Sequence, residues 1–192
     1  ADAEVRLMDI NSERLEESEI IVGKLAQTLG GKASVKTYTN QKRALTGADF
    51  VVVCFQIGGY DPCTITDFEV PKKFGLRQTI ADTLGVGGIF RFLRTTPVLD
   101  QIAEAMLAEA PEAWLLNYTN PMSMNLTYLA AKHPALKALG LCHSVYWTVV
   151  GLNEVIGVPL EGTRYEAAGV NHQAWLHTWE RAHLGIGRTF QV

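Results

Sequence analysis

The run FVVVCF at 50–55 is apolar at every position, which a half-exposed antiparallel strand would not be. Such a run belongs in a parallel sheet covered on both faces. Parallel neighbours need crossover connections, so this stretch commits the chain to an α/β architecture. The rest of the sequence agrees. Residues 4–10 read as a strand ending in Asp9, and Ser12 can cap a helix to about Leu29 that carries Leu15, Ile20, Ile21, Val22 and Leu25. Gly30-Gly31 stops that helix. A short strand at 35–39, a short helix at 41–45 and a flexible Gly58-Gly59 loop follow, with Cys63 opening a helix-like segment. A helix is expected from Pro97 to Ala110, a strand at 113–116, and a helix from Pro121 to about Ala131, since proline suits a first turn. A strand at 139–142 and a helix at 145–156 complete the alternation. From Thr163 the pattern turns mixed and aromatic, with Tyr165, Trp175 and Trp179.

Strand–helix alternation with short connections predicts a doubly wound, Rossmann-like parallel sheet over residues 1–157, with 158–192 as the start of a C-terminal α+β substrate domain. In that fold an acid at a strand tip binds an adenosine ribose, which makes Asp9 the candidate. A glycine-rich turn should lie about 20 residues before such an acid. The chain begins inside what would be the second strand and has no initiator Met, so it reads as an internal fragment truncated before the first strand. In strand order 3-2-1-4-5-6 the first strand is central, and the segment alone is expected to fold poorly.

With 47% apolar residues, 19% charged residues and a net charge of −3, the chain can bury a core and shows no basic stripe for nucleic acid. Lys72-Lys73 reads as a solvated helix face. No apolar run approaches the ~18 residues of a membrane span, and no signal-like segment opens the chain. Cys54, Cys63 and Cys142 are an odd count without CxxC spacing, which fits a reducing cytoplasm better than a disulfide framework. Cys54, inside the apolar run, reads as a packed core thiol.

Three polar groups end strand-like runs: Cys142 in GLCHS, His172 in GVNH, and the Asn117–Pro121 stretch NYTNP. A thiol, an imidazole and an amide so placed suggest a catalytic site with an incomplete metal shell, its open positions left for substrate. Taken singly, Cys142 could be an inert core thiol and His172 a structural hydrogen-bonding group.

The stretch 55–97, followed by LLNYTNPMSMN, GLCHS and AAGVNHQAW, resembles glycoside hydrolase family 4, most closely its α-galactosidase branch. The resemblance covers essentially the whole chain. It implies the fold of lactate and malate dehydrogenases, dependence on NAD and a divalent metal, usually Mn2+, and a chemistry apart from that of two-carboxylate glycosidases. The sugar is oxidised at C3, deprotonated at C2 and loses its C1 oxygen by elimination; water then adds and the hydride returns. The implied partners are a small-molecule glycoside and copies of the same chain in a dimer or tetramer, with neither nucleic acid nor membrane.

By the same resemblance, Cys142 and His172 are the metal ligands, Asn120 holds a sugar hydroxyl, Arg94 faces the sugar, and Gly58 and Gly59 let backbone approach the cofactor diphosphate. Asn120 could equally cap the helix after it, Arg94 could be a surface side chain, and the glycines an ordinary turn. Gly85-Val86-Gly87-Gly88 resembles a phosphate loop but lies far from the first strand. His143 stands where several branches carry a carboxylate or amide, and is read as a general acid for the leaving oxygen or as a group orienting the metal site. Val145-Tyr146-Trp147 departs from the galactosidase pattern. The family's C2 base is a tyrosine that matches none of Tyr60, Tyr118, Tyr146 or Tyr165, so the fragment is expected to be inactive alone. The competing readings are a family 4 α-glucosidase or α-galacturonidase, a 2-hydroxy-acid dehydrogenase, and a non-catalytic dinucleotide-binding domain.

Overall fold

A computed structural model of the chain describes residues 3–78 and 83–181, and the backbone of 190–191. Residues 182–189 and 192 of the expected second domain lie outside the described residues. In chain order the elements are β1 (Glu4–Met8), α1 (Ser12–Thr28), β2 (Ser34–Tyr38), α2 (Gln41–Leu45), β3 (Phe50–Val53), an irregular helical turn (Gly59–Thr64), α3 (Ile65–Lys73), α4 (Gly85–Glu109), β4 (Trp114–Asn117), α5 (Met122–Lys132), β5 (Lys137–Gly140), α6 (Ser144–Val155), β6 (Thr163–Val170), β7 (Gln173–Arg181) and β8 (Phe190–Gln191).

The expected parallel ladders are present. β1 pairs with β2, and β3, β4 and β5 pair in that order, with Val53 opposite Asn117 and Asn117 opposite Gly140. No ladder joins β1 to β3 among the described residues, so the parallel sheet is interrupted where strand order 3-2-1-4-5-6 places its central strand. Contact across the interruption runs through Arg6, whose guanidinium donates to the Ala44 and Thr46 carbonyls. β6, β7 and β8 form a separate antiparallel sheet, which follows α6 after a turn at Gly157–Gly162.

One face of the β3–β4–β5 sheet supplies the main core. Val53 and Leu115 pack with Leu99, Ala103 and Met106 of α4 and Leu129 of α5. The opposite face is open: Phe50 is 66% exposed and Val52 62%, with Trp114 and Leu139 also exposed. The expectation of a strand covered on both faces therefore holds on one side only. Cys54, expected in the core, is exposed because it follows Val53 on the alternate side of the pleat. The β1–α1–β2 unit is thinly packed. Leu15 is the buried residue of α1, and Ile20, Ile21 and Leu25 are exposed.

Three helix starts differ from expectation. Asn11, not Ser12, caps α1, its side chain accepting from the Arg14 N–H at 3.0 Å. α4 begins at Gly85 and carries Pro97 in its interior. Intrinsic propensity argues against a helix through Gly85–Gly88, but tertiary contacts override it. The Gln78 side chain accepts from Gly87 N at 3.1 Å and donates to Leu84 O at 3.2 Å, and Gly87 and Gly88 are buried. α5 begins at Met122, with Pro121 itself in the capping position.

Candidate active site

Cys142 lies just past β5, next to the N-terminus of α6. Its backbone reaches this place because Leu141 N donates to Asn117 O at 3.0 Å, prolonging the β4–β5 ladder. Although the residue is exposed, partial burial of the thiol pushes its pKa up. The Ser144 hydroxyl, Ser144 N–H, Asn171 side chain and His143 N–H oppose this, and the net displacement is downward, toward thiolate. Amides at a helix start favour a thiolate in this way. Ser144 Oγ is 3.1 Å and Ser144 N 3.4 Å from the sulfur.

His172 comes from the other sheet. Asn171 and His172 form the two-residue turn between Val170 and Gln173 of the β6–β7 hairpin. His172 has φ 62°, the one positive φ outside glycine among the described residues. Glycine or asparagine is the ordinary occupant of that turn position. A histidine there points to a use for its ring. Just before the turn, Gly169 is required by close approach, since a Cβ on it would lie 2.5 Å from Ala174 Cα.

These two elements bring His172 Nε2 to 3.6 Å from Cys142 Sγ across 30 residues of sequence. A thiolate and an imidazole bound to one tetrahedral ion at about 2.3 and 2.1 Å would stand about 3.6 Å apart. The donor set and its spacing therefore fit a divalent ion. Among the described residues no group of three or more His, Cys, Asp or Glu side chains gathers. The other imidazole nitrogen, Nδ1, is 3.1 Å from Thr83 Oγ1. Asn171, which precedes His172 in GVNH, puts its side chain on Cys142, and its buried Oδ1 has no partner among the described residues.

Asn120 stands beside a dry polar cluster. Asn117 and Asn125 are fully buried, and both side-chain amides donate to Thr119 O, at 2.9 and 3.0 Å. Thr119 Oγ1 accepts from Phe55 N at 3.1 Å, tying the loop to the end of β3. Asn120 Oδ1 accepts from Met122 N at 3.3 Å, a local turn bond rather than the helix cap considered from sequence. This shoulder meets the hairpin turn where Asn171 N donates to Ser123 Oγ at 3.2 Å.

Gly58 and Arg94 also come together. A Cβ on Gly58 would fall 2.3 Å from Cys63 Sγ and 3.7 Å from Arg94 Nε, and Gly58 has φ 86°. Glycine is thus required by space and by conformation. Gly59 has φ 66° and open space around it. Arg94 is not a free surface group: it forms a bidentate pair at 2.8 and 2.5 Å with Asp67, which is fully buried. The sequence offered no signal for Asp67. Asp9 sits at the end of β1, committed to Arg14 at 2.7 and 3.2 Å and to Asn11 N at 2.8 Å. The Arg14 bonds, then the Asn11 N–H, hold its carboxyl below the usual range. No described contact joins Asp9 to the Gly58 loop. His143 is exposed, and its ring makes no hydrogen bond among the described residues.

Residues 1–158 match the model of the family 4 glycosyl hydrolases. An α-galactosidase of Bacillus subtilis (strain 168) is 46% identical over 173 residues, 90% of this chain and 40% of that protein. An α-galacturonidase of Thermoanaerobacterium saccharolyticum is 36% identical over 181 residues, 90% of this chain and 39% of that protein. The chain thus spans about two-fifths of these relatives. Among solved structures, a candidate glucosidase, lplD, from Bacillus subtilis superposes with TM-score 0.83 at 32% identity, covering 95% of this chain and 43% of that one. A 6-phospho-α-glucosidase from gut microorganisms, solved with NAD and Mn2+, superposes at 0.84 with 22% identity, covering 96% and 42%. A malate dehydrogenase of Picrophilus torridus reaches 0.70 at 14% identity, covering 95% and 53%, which carries the dehydrogenase-like fold. No described helix is long and apolar enough to cross a membrane.

Proposed function

The chain belongs to family 4 of the glycosyl hydrolases, and from that premise we propose that the whole protein hydrolyses α-galactosides with the help of NAD and a divalent metal, Mn2+ first. The observation that carries the site reading is the 3.6 Å approach of Cys142 Sγ to His172 Nε2 from two different sheets. When bound, NAD supplies reversible hydride removal at C3 of the sugar and the ion supplies Lewis-acid polarisation of the C2 and C3 oxygens.

The chain's own residues do the holding and the proton work. Cys142 and His172 would hold the ion, and the polar neighbours of Cys142 bias its sulfur toward thiolate. Asn120 presents its amide to a sugar hydroxyl from a loop fixed by the buried Asn117–Thr119–Asn125 cluster. His143, exposed and next to Cys142 in sequence, donates a proton to the departing C1 oxygen, the general-acid task that histidine side chains most often perform. Gly58 opens the backbone to the cofactor diphosphate, and Asp9 accepts from the adenosine ribose after exchanging part of its hold on Arg14. Arg94 borders the sugar side while Asp67 anchors its guanidinium.

The test uses the whole protein with an aryl α-galactoside in D2O, NAD+, Mn2+ and a thiol reductant. Deuterium at C2 of the released galactose, dependent on both cofactors, is the expected result. Hydrolysis that needs no NAD+, or that leaves C2 undeuterated, overturns the mechanism. The second reading rests on the α-galacturonidase relative, and the matching aryl α-galacturonide in the same assay decides it.

A further inference from the structure

We propose that Thr83 is a positioning residue for the metal pair: its hydroxyl holds the His172 ring with the hydrogen on Nδ1, so that the Nε2 lone pair faces Cys142. This rests on the reading of Cys142 and His172 as ligands. The ring is pinned at both ends, with Thr83 Oγ1 3.1 Å from Nδ1 and Cys142 Sγ 3.6 Å from Nε2. A neutral imidazole carries one hydrogen, and whichever nitrogen bears it cannot ligate an ion. A hydroxyl that accepts from Nδ1–H therefore selects the competent form, while one that donates to Nδ1 selects the useless one. Thr83 is 3% exposed, so little bulk water competes for the ring.

The position of Thr83 is itself enforced. A Cβ on Gly88 would lie 3.0 Å from Thr83 C and 3.3 Å from Thr83 O, closer than ordinary packing allows. Gly88 thus lets the first turn of α4 lie directly against the Thr83 backbone. This gives Gly88 a role of its own: the last glycine of the run braces the threonine, which braces the histidine. The contact spans 89 residues and joins the N-terminal end of α4 to the β6–β7 turn.

The experiment compares Mn2+ affinity, by electron paramagnetic resonance titration, in the whole protein and its Thr83→Val, Thr83→Ser and His172→Ala variants. Thr83→Val should weaken Mn2+ binding by roughly 10–100-fold, the usual cost of losing a partner behind a metal ligand. Thr83→Ser, which keeps the hydroxyl, should retain the affinity. Wild-type affinity in Thr83→Val, with loss in His172→Ala, overturns the role of Thr83 and leaves the ligands standing. Unchanged affinity in His172→Ala overturns the metal reading itself. If Thr83→Val does not fold, 15N NMR of the His172 ring in the unsubstituted metal-free protein, at a pH where the ring is neutral, still decides. A hydrogen on Nδ1 is expected, and one on Nε2 overturns the proposal.

Discussion

The two shoulders of the site are built in opposite ways. Around Thr119 the polar groups are dry: Asn117 and Asn125 are fully buried and spend their amide hydrogens on one carbonyl. Around Cys142 they are wet: the thiol belongs to an exposed residue whose protonation its polar neighbours bias. The first shoulder is held by burial, where a lost partner costs the full desolvation of what remains. The second is held by contacts that water could replace. On the proposed function the site would orient a sugar and admit an ion, which calls for both kinds, and here they touch through Asn171 N and Ser123 Oγ.

The contrast is open to measurement. Cys142→Ser in the whole protein should cut turnover by about 10³-fold or more, since the Lewis-acid role supplies several kcal/mol. The same variant should shift unfolding by no more than about 0.5 kcal/mol, as for other exposed positions. Equal losses of activity and stability would erase the distinction between the shoulders. Asn117→Ala should do the reverse. Denaturant unfolding should fall by roughly 2–3 kcal/mol from the cavity and the lost buried hydrogen bond, with Mn2+ affinity retained in the folded fraction.

A smaller effect lies behind the dry shoulder, at the far end of α5. Burial alone would raise the Asp100 carboxyl, but hydrogen bonds from Lys132, His133 and Tyr128 bring it from 3.8 to about 2. A depressed carboxyl stabilises above its unfolded value and loses that contribution as pH falls through the folded one. Stability should therefore drop between about pH 4 and pH 2, by about 1–2 kcal/mol after allowing for the exposed Lys132. Asp100→Asn should flatten that part of the pH–stability curve. The smallest effect is at the wet shoulder. Ser144→Ala removes a bond that favours thiolate, so alkylation of Cys142 at neutral pH should slow by roughly three- to tenfold. An unchanged rate would show that the backbone amides suffice.

The fold was legible wherever local signals and burial agree. Apolar runs announced β3 and β4, and the alternation announced the parallel ladders to within a few residues. Legibility failed where tertiary packing overrides propensity. Gly85–Gly88 reads as a loop because isolated glycines disfavour helix, and only the Gln78 bonds and the approach to Thr83 turn it into the start of α4. Cys54 reads as core because its neighbours are apolar, yet it falls on the open side of the sheet. At the candidate site, Cys142, His172 and Asn120 lie in short motifs that stand out in the sequence. Thr83 and Asp67 meet residues far away in sequence, and no local pattern marks them.

The origin of the proposed metal pair has a kinetic consequence. His172 rides on a two-residue hairpin whose strands are neighbours in sequence, and hairpins close in roughly 1–10 μs. Cys142 waits on a parallel ladder that must first bring Val53 to Asn117, and pairing between distant segments is slow. One jaw of the clamp is thus set early and the other arrives late. On the proposed reading the two ligands meet only once the parallel sheet has assembled, so metal capture would report completed folding.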